Sequence, residues 1–245
     1  MIVMTRIAVL VPTYNERDNI PLLIDEVFRN LSHGAYDPHI IVIDDNSPDG
    51  TGYLVKDIAK VDDHVHLLSR SGKYGLGSAY TDGLKWSRSN LSPDIFVQMD
   101  ADFSHPPQYL PNLVKGVLKG HDVILGSRYV KGGGSVSWPW HRRLISRVAN
   151  LMVRLMLGIK EKDTTSGFRT LSKRAVDSLL NFTLSSKSYS YQIESLFLYS
   201  KLGLLIKEVP IFFFGRKKGR TKLSISDIIG FVYLLIRMRA MSFNK

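Results

Sequence analysis

The sequence predicts an α/β fold, a mostly parallel sheet with helices on both faces. Two observations predict it. Short apolar runs alternate with segments of helical period through the first half of the chain. The runs are also continuously apolar, as strands covered on both faces are. A third observation says where a ligand would sit. The polar clusters "PTYNE", "DDNSPDG", "DADFSH" and "GSRY" follow the runs directly, and parallel sheets bind ligands beyond the carboxyl ends of their strands.

Taken in order, "RIAVLVPT" is the first strand. Its run has no basic segment before it and no small-residue cleavage site after it, so it reads as a strand rather than a signal peptide. A helix follows from about Asp18 to Leu31, with Ile20, Leu23, Ile24, Val27, Phe28 and Leu31 at helical spacing. "HIIVIDD" is the next strand, and a helix starts near Thr51. The series continues with "VHLLSR", a helix from about Gly77 to Ser89, "IFVQMD", a helix from about Pro107 to Lys119, and "DVILGSR".

The second half differs. "HRRLISRVANLMVRLMLGI" puts Leu144, Ile145, Val148, Leu151, Met152, Leu155, Met156 and Ile159 at helical spacing, with Arg143, Arg147 and Arg154 on another side. After "DTTSGFR" come helices near Ser172–Leu180 and Tyr191–Leu202, a strand "LLIKEVPIFFF", a basic loop "GRKKGRTKL", and a last helix from about Ser224 to Met241. With no repeat or linker, residues 1–245 read as one domain, of which 215–245 form a basic loop and a membrane-facing helix.

The net charge of +11 is unevenly placed. Val123 to Lys160 holds seven Lys/Arg and no acid, and Gly215 to Lys245 holds eight against Asp227 alone. The partner these segments face is therefore expected to be anionic. The longest C-terminal apolar run, Ile228 to Ile236, is about half of what spans a bilayer. No cysteine is present, which excludes disulfides and thiolate metal sites. The seven histidines look scattered, without zinc-type spacing, and His105 serves equally well as a turn residue.

Asp100 and Asp102 carry the sharpest signal. Side chains at i and i+2 of a strand share a face, so two like charges can point at one spot. A hard divalent cation, Mg²⁺ or Mn²⁺, held by carboxylates and substrate phosphates would relieve their repulsion. Asp44 and Asp45 end another strand. Being adjacent they face opposite ways, so at most one meets a ligand, and an acid there suits base or ribose donors. In "VPTYNE", Tyr14 and Glu16 can hold a base, or Asn15 can cap a helix while Tyr14 packs. "GLGSAY" is only part of a dinucleotide fingerprint and no Walker-type loop exists. A diphosphate would then need the metal plus the loop-borne cations Arg128, Arg142, Arg216 and Lys222.

Together, "VPTYNERDNI", "IVIDDNSPDGTG", "GLGSAY", "MDADFSHPP", "GSRYVKGGG…WPWHRRLISR", "SGFR" and "EVPIFFFGRKKGRTKL" strongly resemble the dolichol- or polyprenyl-phosphate mannosyltransferases. These are inverting glycosyltransferases of the Rossmann-like GT-A fold, and the resemblance runs from about Arg6 to Phe231. It implies that Pro12, Tyr14, Glu16, Val42 and Asp44 hold the guanosine of GDP-mannose. It implies that Asp100, Ala101 and Asp102 hold the metal and sugar nucleotide, with Asp100 and Asp102 as ligands. Arg128, Arg216 and Lys222 would surround the phosphates, and Arg142 would lie near the acceptor phosphate. Ser104, counted with the nucleotide-sugar contacts, stands where some relatives carry Gln, and Thr221 replaces the Ser of the usual "G-x-S-K".

The implied reaction is metal-dependent, inverting transfer of mannose to dolichyl or polyprenyl phosphate, with Asp102, Arg128 and Arg142 as the catalytic set. The expected setting is a membrane surface on its cytoplasmic face, engaged by amphipathic interfacial helices at Arg142–Gly158 and Ser224–Met241. Small transmembrane subunits are a further partner the resemblance allows. Three alternatives compete: a transferase using a UDP-sugar such as UDP-glucose, a basic nucleic-acid-binding protein, and an inactive membrane-surface scaffold. The acidic strand ends and the absence of an aromatic RNA-binding motif speak against nucleic acid.

Overall fold

A computed structural model describes residues 4–32, 35–184, 186, 190–215 and 225–240. The strands are β1 (Thr5–Thr13), β2 (Tyr36–Asp44), β3 (Val65–Ser69), β4 (Ile95–Gln98), β5 (Val123–Ser127), β6 (Gly134–Val136), β7 (Arg169–Ser172), β8 (Ile206–Pro210) and β9 (Phe212–Phe214). The helices are α1 (Ile20–Leu31), α2 (Thr51–Ile58), α3 (Leu76–Asn90), α4 (Leu110–Leu118), α5 (Trp140–Leu157), α6 (Lys173–Leu180), α7 (Tyr191–Lys201) and α8 (Ile225–Ala240). A 3₁₀ turn, Pro107–Tyr109, leads into α4.

Seven strands form one sheet in the order β3-β2-β1-β4-β7-β5-β8, and β6 pairs with β9 in a small second sheet. All pairings of the large sheet are parallel except those of β7, which runs antiparallel between β4 and β5. The expectation of a mostly parallel α/β sheet is met. Two short strands escaped it. β6 has three residues, and β7 is four residues of mixed polarity carrying a buried arginine. "LLIKEVPIFFF" divides at Pro210 and Ile211, β8 joining the large sheet and β9 the small one.

Alternation along β1 explains the two-sided core. Ala8 and Leu10 pack with residues of α3, α6 and α7, while Ile7, Val9 and Val11 pack with residues of α1 and α4. Local signals set several boundaries. Pro21 and Pro111 occupy the first turns of α1 and α4, where a missing N–H costs nothing. The Ser172 hydroxyl accepts from the Ala175 N–H at 3.2 Å and caps α6. The left-handed Gly158 (φ 70°) stops α5. From β1 the chain passes to β2 on one side and β4 lies on the other, so the crevice at their carboxyl ends is the switch point where such folds take ligands.

Candidate active site

At that crevice Thr13 ends β1 in register with Asp44, which ends β2. The buried Asp44 carboxylate accepts from the Thr13 hydroxyl (3.2 Å), the Ser47 N–H (3.1 Å) and the Ser47 hydroxyl (2.5 Å). The first turn of α2 closes over it because residue 52 is glycine; a Cβ there would lie 2.9 Å from Asp44 Oδ2. Asp45 faces away and pairs with Arg70 at 2.7 Å, whose Nε reaches Asp82 at 3.2 Å. Burial pushes the Asp45 carboxyl above its ordinary value although Arg70 opposes this. Asp45 is thus the structural member of the pair.

Three non-glycine residues in the loops that follow β1, β2 and β4 adopt left-handed backbone: Asn15 (φ 61°), Asn46 (φ 57°) and Phe103 (φ 59°). Asn tolerates this; for Phe it costs on the order of 1 kcal/mol. Asn15 does not cap α1; its N–H donates to Ser47 Oγ at 3.0 Å. The Glu16 carboxylate accepts from Asn19 Nδ2 at 2.6 Å. Tyr14 is exposed, and Lys73 Nζ lies 4.1 Å from its ring centroid. Pro12 is half-buried, whereas Val42 and Ala101 are buried.

Asp100 and Asp102 are half-buried and both lean on Ser104. The Ser104 N–H donates to Asp102 Oδ1 at 3.0 Å, and its hydroxyl lies 3.5 Å from Asp100 Oδ2. The Asp100 N–H donates to His105 Nδ1 at 3.0 Å, which places the imidazole proton on Nε2. His105 is buried, stacked on Phe168 at 5.1 Å and edge-on to Phe213 at 5.5 Å. Burial pulls its imidazole below the ordinary value, so at neutral pH it is an uncharged brace for the turn. Oxygen donors on one short turn suit a hard divalent cation, and Asp100 and Asp102 are the residues that would hold it.

Opposite lies a basic wall. Arg128 makes a bidentate pair with the fully buried Asp163 (Nε–Oδ2 2.8 Å, a terminal nitrogen to Oδ1 2.6 Å) and also donates to Thr165 Oγ1 at 2.8 Å. Burial lowers the Arg128 guanidinium, and Asp163 more than offsets this, leaving it above its ordinary value. The Trp138 ring meets the Arg142 guanidinium carbon at 4.3 Å and that of Arg128 at 5.3 Å. Phe213 links the two walls, 5.5 Å from His105 and 5.5 Å from Arg128. Gly133 admits the backbone here; a Cβ would meet Ser127 O at 2.4 Å.

Beside Arg128 opens a cavity of about 420 Å³ lined by Lys131, Arg147, Arg154, Lys162 and Asn150 among others. Arg147 and Arg154 are seven residues apart on α5 and so share a face. Arg154 Nε is buried without a hydrogen-bond partner among the described residues. No motif singles out Lys131, Lys162 or Asp163. The run of cations without acids from Val123 to Lys160 was the available signal for the cavity. Arg216 and Lys222 lie outside the described residues.

Residues 8–180 match the family model described as "Glycosyl transferase family 2". The polyprenol monophosphomannose synthase of Mycolicibacterium smegmatis is 41% identical over 225 residues, covering 91% of this chain and 83% of the relative. The chain belongs to glycosyl transferase family 2. It is a glycosyltransferase closely related to the polyprenyl-phosphate mannosyltransferases. The undecaprenyl-phosphate mannosyltransferase of Micrococcus luteus is a second such relative, 38% identical over 225 residues and covering 92% of this chain and 90% of its own. A glucosyl-3-phosphoglycerate synthase from Mycobacterium tuberculosis, solved with Mn²⁺, UDP and phosphoglyceric acid, superposes with a TM-score of 0.65 at 22% identity, over 97% of this chain and 80% of that one. That likeness is one of fold.

The histidines that look scattered in the sequence are not scattered in space. Asp37, His39 and His64 each offer a ligand atom, and these atoms lie within 4.8 Å of one another, a geometry able to hold a divalent cation. This cluster lies at the amino end of β2, the opposite edge of the sheet from Asp100 and Asp102. No described helix is long and apolar enough to cross a membrane.

Proposed function

We propose that this glycosyltransferase moves mannose from GDP-mannose to a dolichyl or polyprenyl phosphate, inverting the anomeric carbon. One observation carries the reading: a single ring, Phe213, packs on both His105, which braces the acidic turn Asp100–Asp102, and Arg128, which lines the basic cavity. A nucleotide sugar with its metal suits the first, and a phosphate monoester suits the second. The two mannosyltransferase relatives, matched over about nine tenths of this chain, support the sugar and the lipid acceptor.

The side chains fit the chemistry without a general base. A phosphate monoester has a second pKa of about 6 and is mostly dianionic at neutral pH. The obstacle is charge. Two unit charges about 5 Å apart in an effective dielectric of about 20 repel by about 3 kcal/mol. Lys131, Arg147, Arg154 and Lys162 offset that repulsion on the acceptor side. Arg128, neutralised by Asp163, contributes less charge than rigidity, packing on Phe213 and on the Trp138 ring that meets Arg142. On the donor side Asp44, fixed by its three donors, accepts from the nucleoside, and Tyr14 covers the base. Ser104 holds the two carboxylates at one spot. A divalent cation bound there supplies positive charge to the departing diphosphate.

The exposed apolar residues of α5 fit a lipid-linked acceptor. Trp140, Leu144, Ile145, Val148, Leu151 and Leu155 remain exposed, whereas Val153 and Leu157 are buried. This face, beside the cavity that Arg147 and Arg154 line, is proposed to rest on the membrane surface. Of α8, Leu235 and Met238 are buried and Tyr233 and Ile236 exposed, so α8 completes the same surface. Transmembrane partner subunits are an alternative cover for it.

The test is transfer of labelled mannose from GDP-mannose to polyprenyl phosphate in liposomes, with Mn²⁺, with EDTA, and with Asp102→Ala. Product that needs both the metal and Asp102 is expected. Transfer from UDP-glucose alone would keep the mechanism and overturn the sugar; no transfer from any donor would overturn the reading.

A further inference from the structure

We infer that Asp37, His39 and His64 form a binding site for a borderline transition-metal ion of the Zn²⁺ class, separate from the cation of the transfer site. The separations fit. Asp37 Oδ2 lies 3.4 Å from His39 Nε2, and Asp37 Oδ1 lies 3.4 Å from His64 Nε2. Tetrahedral zinc with bonds of about 2.0–2.1 Å sets its ligands about 3.4 Å apart, the separation of Asp37 Oδ1 from His64 Nε2, and one ligand atom from each of the three residues lies within 4.8 Å of the others. The donor set, two imidazoles and one carboxylate, selects zinc-like ions over Mg²⁺ or Mn²⁺.

The surroundings orient these ligands as outer partners do in metal sites. His39 Nδ1 lies 3.0 Å from His66 Nε2, and His64 Nδ1 lies 3.4 Å from Asp62 Oδ1. With its proton on Nδ1, His39 donates to His66 and turns its Nε2 lone pair inward, while His64 Nδ1 only leans toward Asp62. His39 Nε2 is buried without a hydrogen-bond partner among the described residues. A lone pair facing a carboxylate is repulsive unless a cation lies between them. The opposite tautomer helps little, since 3.4 Å exceeds the usual N–H···O range of about 2.7–3.2 Å. Arg6 occupies Asp37 Oδ2 at 2.7 Å, which leaves Oδ1 toward His64.

The topology explains how four residues remote in sequence meet. Asp37 and His39 sit at i and i+2 of β2, and His64 and His66 bear the same relation at the start of β3. The strands are parallel neighbours, with Ile41 opposite His66. An ion here would pin the amino end of the edge strand β3 to β2.

The untagged full chain, stripped with EDTA and dialysed, should be titrated calorimetrically with ZnCl₂ in excess Mg²⁺. One equivalent of Zn²⁺ is expected, retained in Asp102→Ala. In His64→Gln affinity should fall about 100-fold; His64 is half-exposed, so the fold should survive, as a metal-free melt identical to wild type would verify. Absence of stoichiometric binding, displacement by Mg²⁺, loss in Asp102→Ala, or unchanged affinity in His64→Gln would each overturn the site. None of these outcomes depends on which sugar is transferred.

Discussion

Beyond the carboxyl end of β4 two carboxylates, Asp100 and Asp102, gather beside one buried histidine; at the amino ends of β2 and β3 two carboxylates, Asp37 and Asp62, gather with three histidines. Both edges assemble Asp and His, yet the roles are exchanged. His105 accepts from the Asp100 backbone and is walled by Phe168 and Phe213, so its ring braces a turn and leaves the oxygens to face the crevice. His39 and His64 turn ring nitrogens toward a carboxylate, and Asp37 is the member already partnered, by Arg6. Residue type alone therefore does not say what a site binds. Which atoms are consumed by local hydrogen bonds, and which are left over, decides it.

The largest effect that would break this contrast belongs to Asp102. Asp102→Ala should lower kcat for mannosyl transfer by about 10³-fold, near the upper range for removing a single electrostatic stabiliser, with zinc titration unchanged. A loss of zinc in the same variant would merge the two edges into one site.

Next in size is the wall behind the acceptor cavity. Asp163 is fully buried and paired with Arg128, and removing one partner of such a pair costs about 3–5 kcal/mol. Asp163→Asn should lower the free energy of urea unfolding by about 3 kcal/mol, and transfer should fall with it. A shift under 1 kcal/mol would mean that Arg128 is free to serve the phosphates directly.

Smaller, and confined to the acceptor, is the effect of Arg147→Glu. Reversing one exposed cation beside the cavity should raise KM for polyprenyl phosphate about tenfold, roughly 1.4 kcal/mol, with KM for GDP-mannose unchanged. A rise in the donor's KM instead would place the diphosphate, not the acceptor, in that cavity.

These sites were unequally legible in the sequence. The carboxyl edge was readable because each of its strands ends in a polar cluster, and parallel topology carries consecutive clusters to one crevice. Asp100 and Asp102 announced themselves by like charge at i and i+2. The Arg128–Asp163 pair was not readable, since its members are 35 residues apart and meet only because β7 inserts antiparallel between β4 and β5. β7 itself was hidden by Arg169, whose guanidinium is buried among the carbonyls of Ser166 and Gln192 and the Ser195 hydroxyl rather than exposed. The histidine cluster was hidden for a similar reason. "DPH" and "HVH" are each a bare i, i+2 pair, and nothing local says that β2 and β3 bring them side by side.

The smallest expected effect on catalysis is the most discriminating. His64→Gln should leave mannosyl transfer within about twofold of wild type at 25 °C, because the cluster lies at the far end of the sheet from the crevice. Its consequence should appear on heating. A ligand held only by the folded chain stabilises it by about 2.7 kcal/mol when present at about 100 times its Kd. For a chain of this size each kcal/mol shifts Tm by roughly 2–4 °C, so saturating Zn²⁺ should raise Tm by about 5–10 °C in wild type and leave His64→Gln unmoved. Equal shifts in both proteins would mean that the ion acts through other groups, and the amino edge would then be an ordinary stack of buried histidines. A shift in wild type alone, with transfer unaffected, would separate an edge that does chemistry from an edge that fastens the sheet.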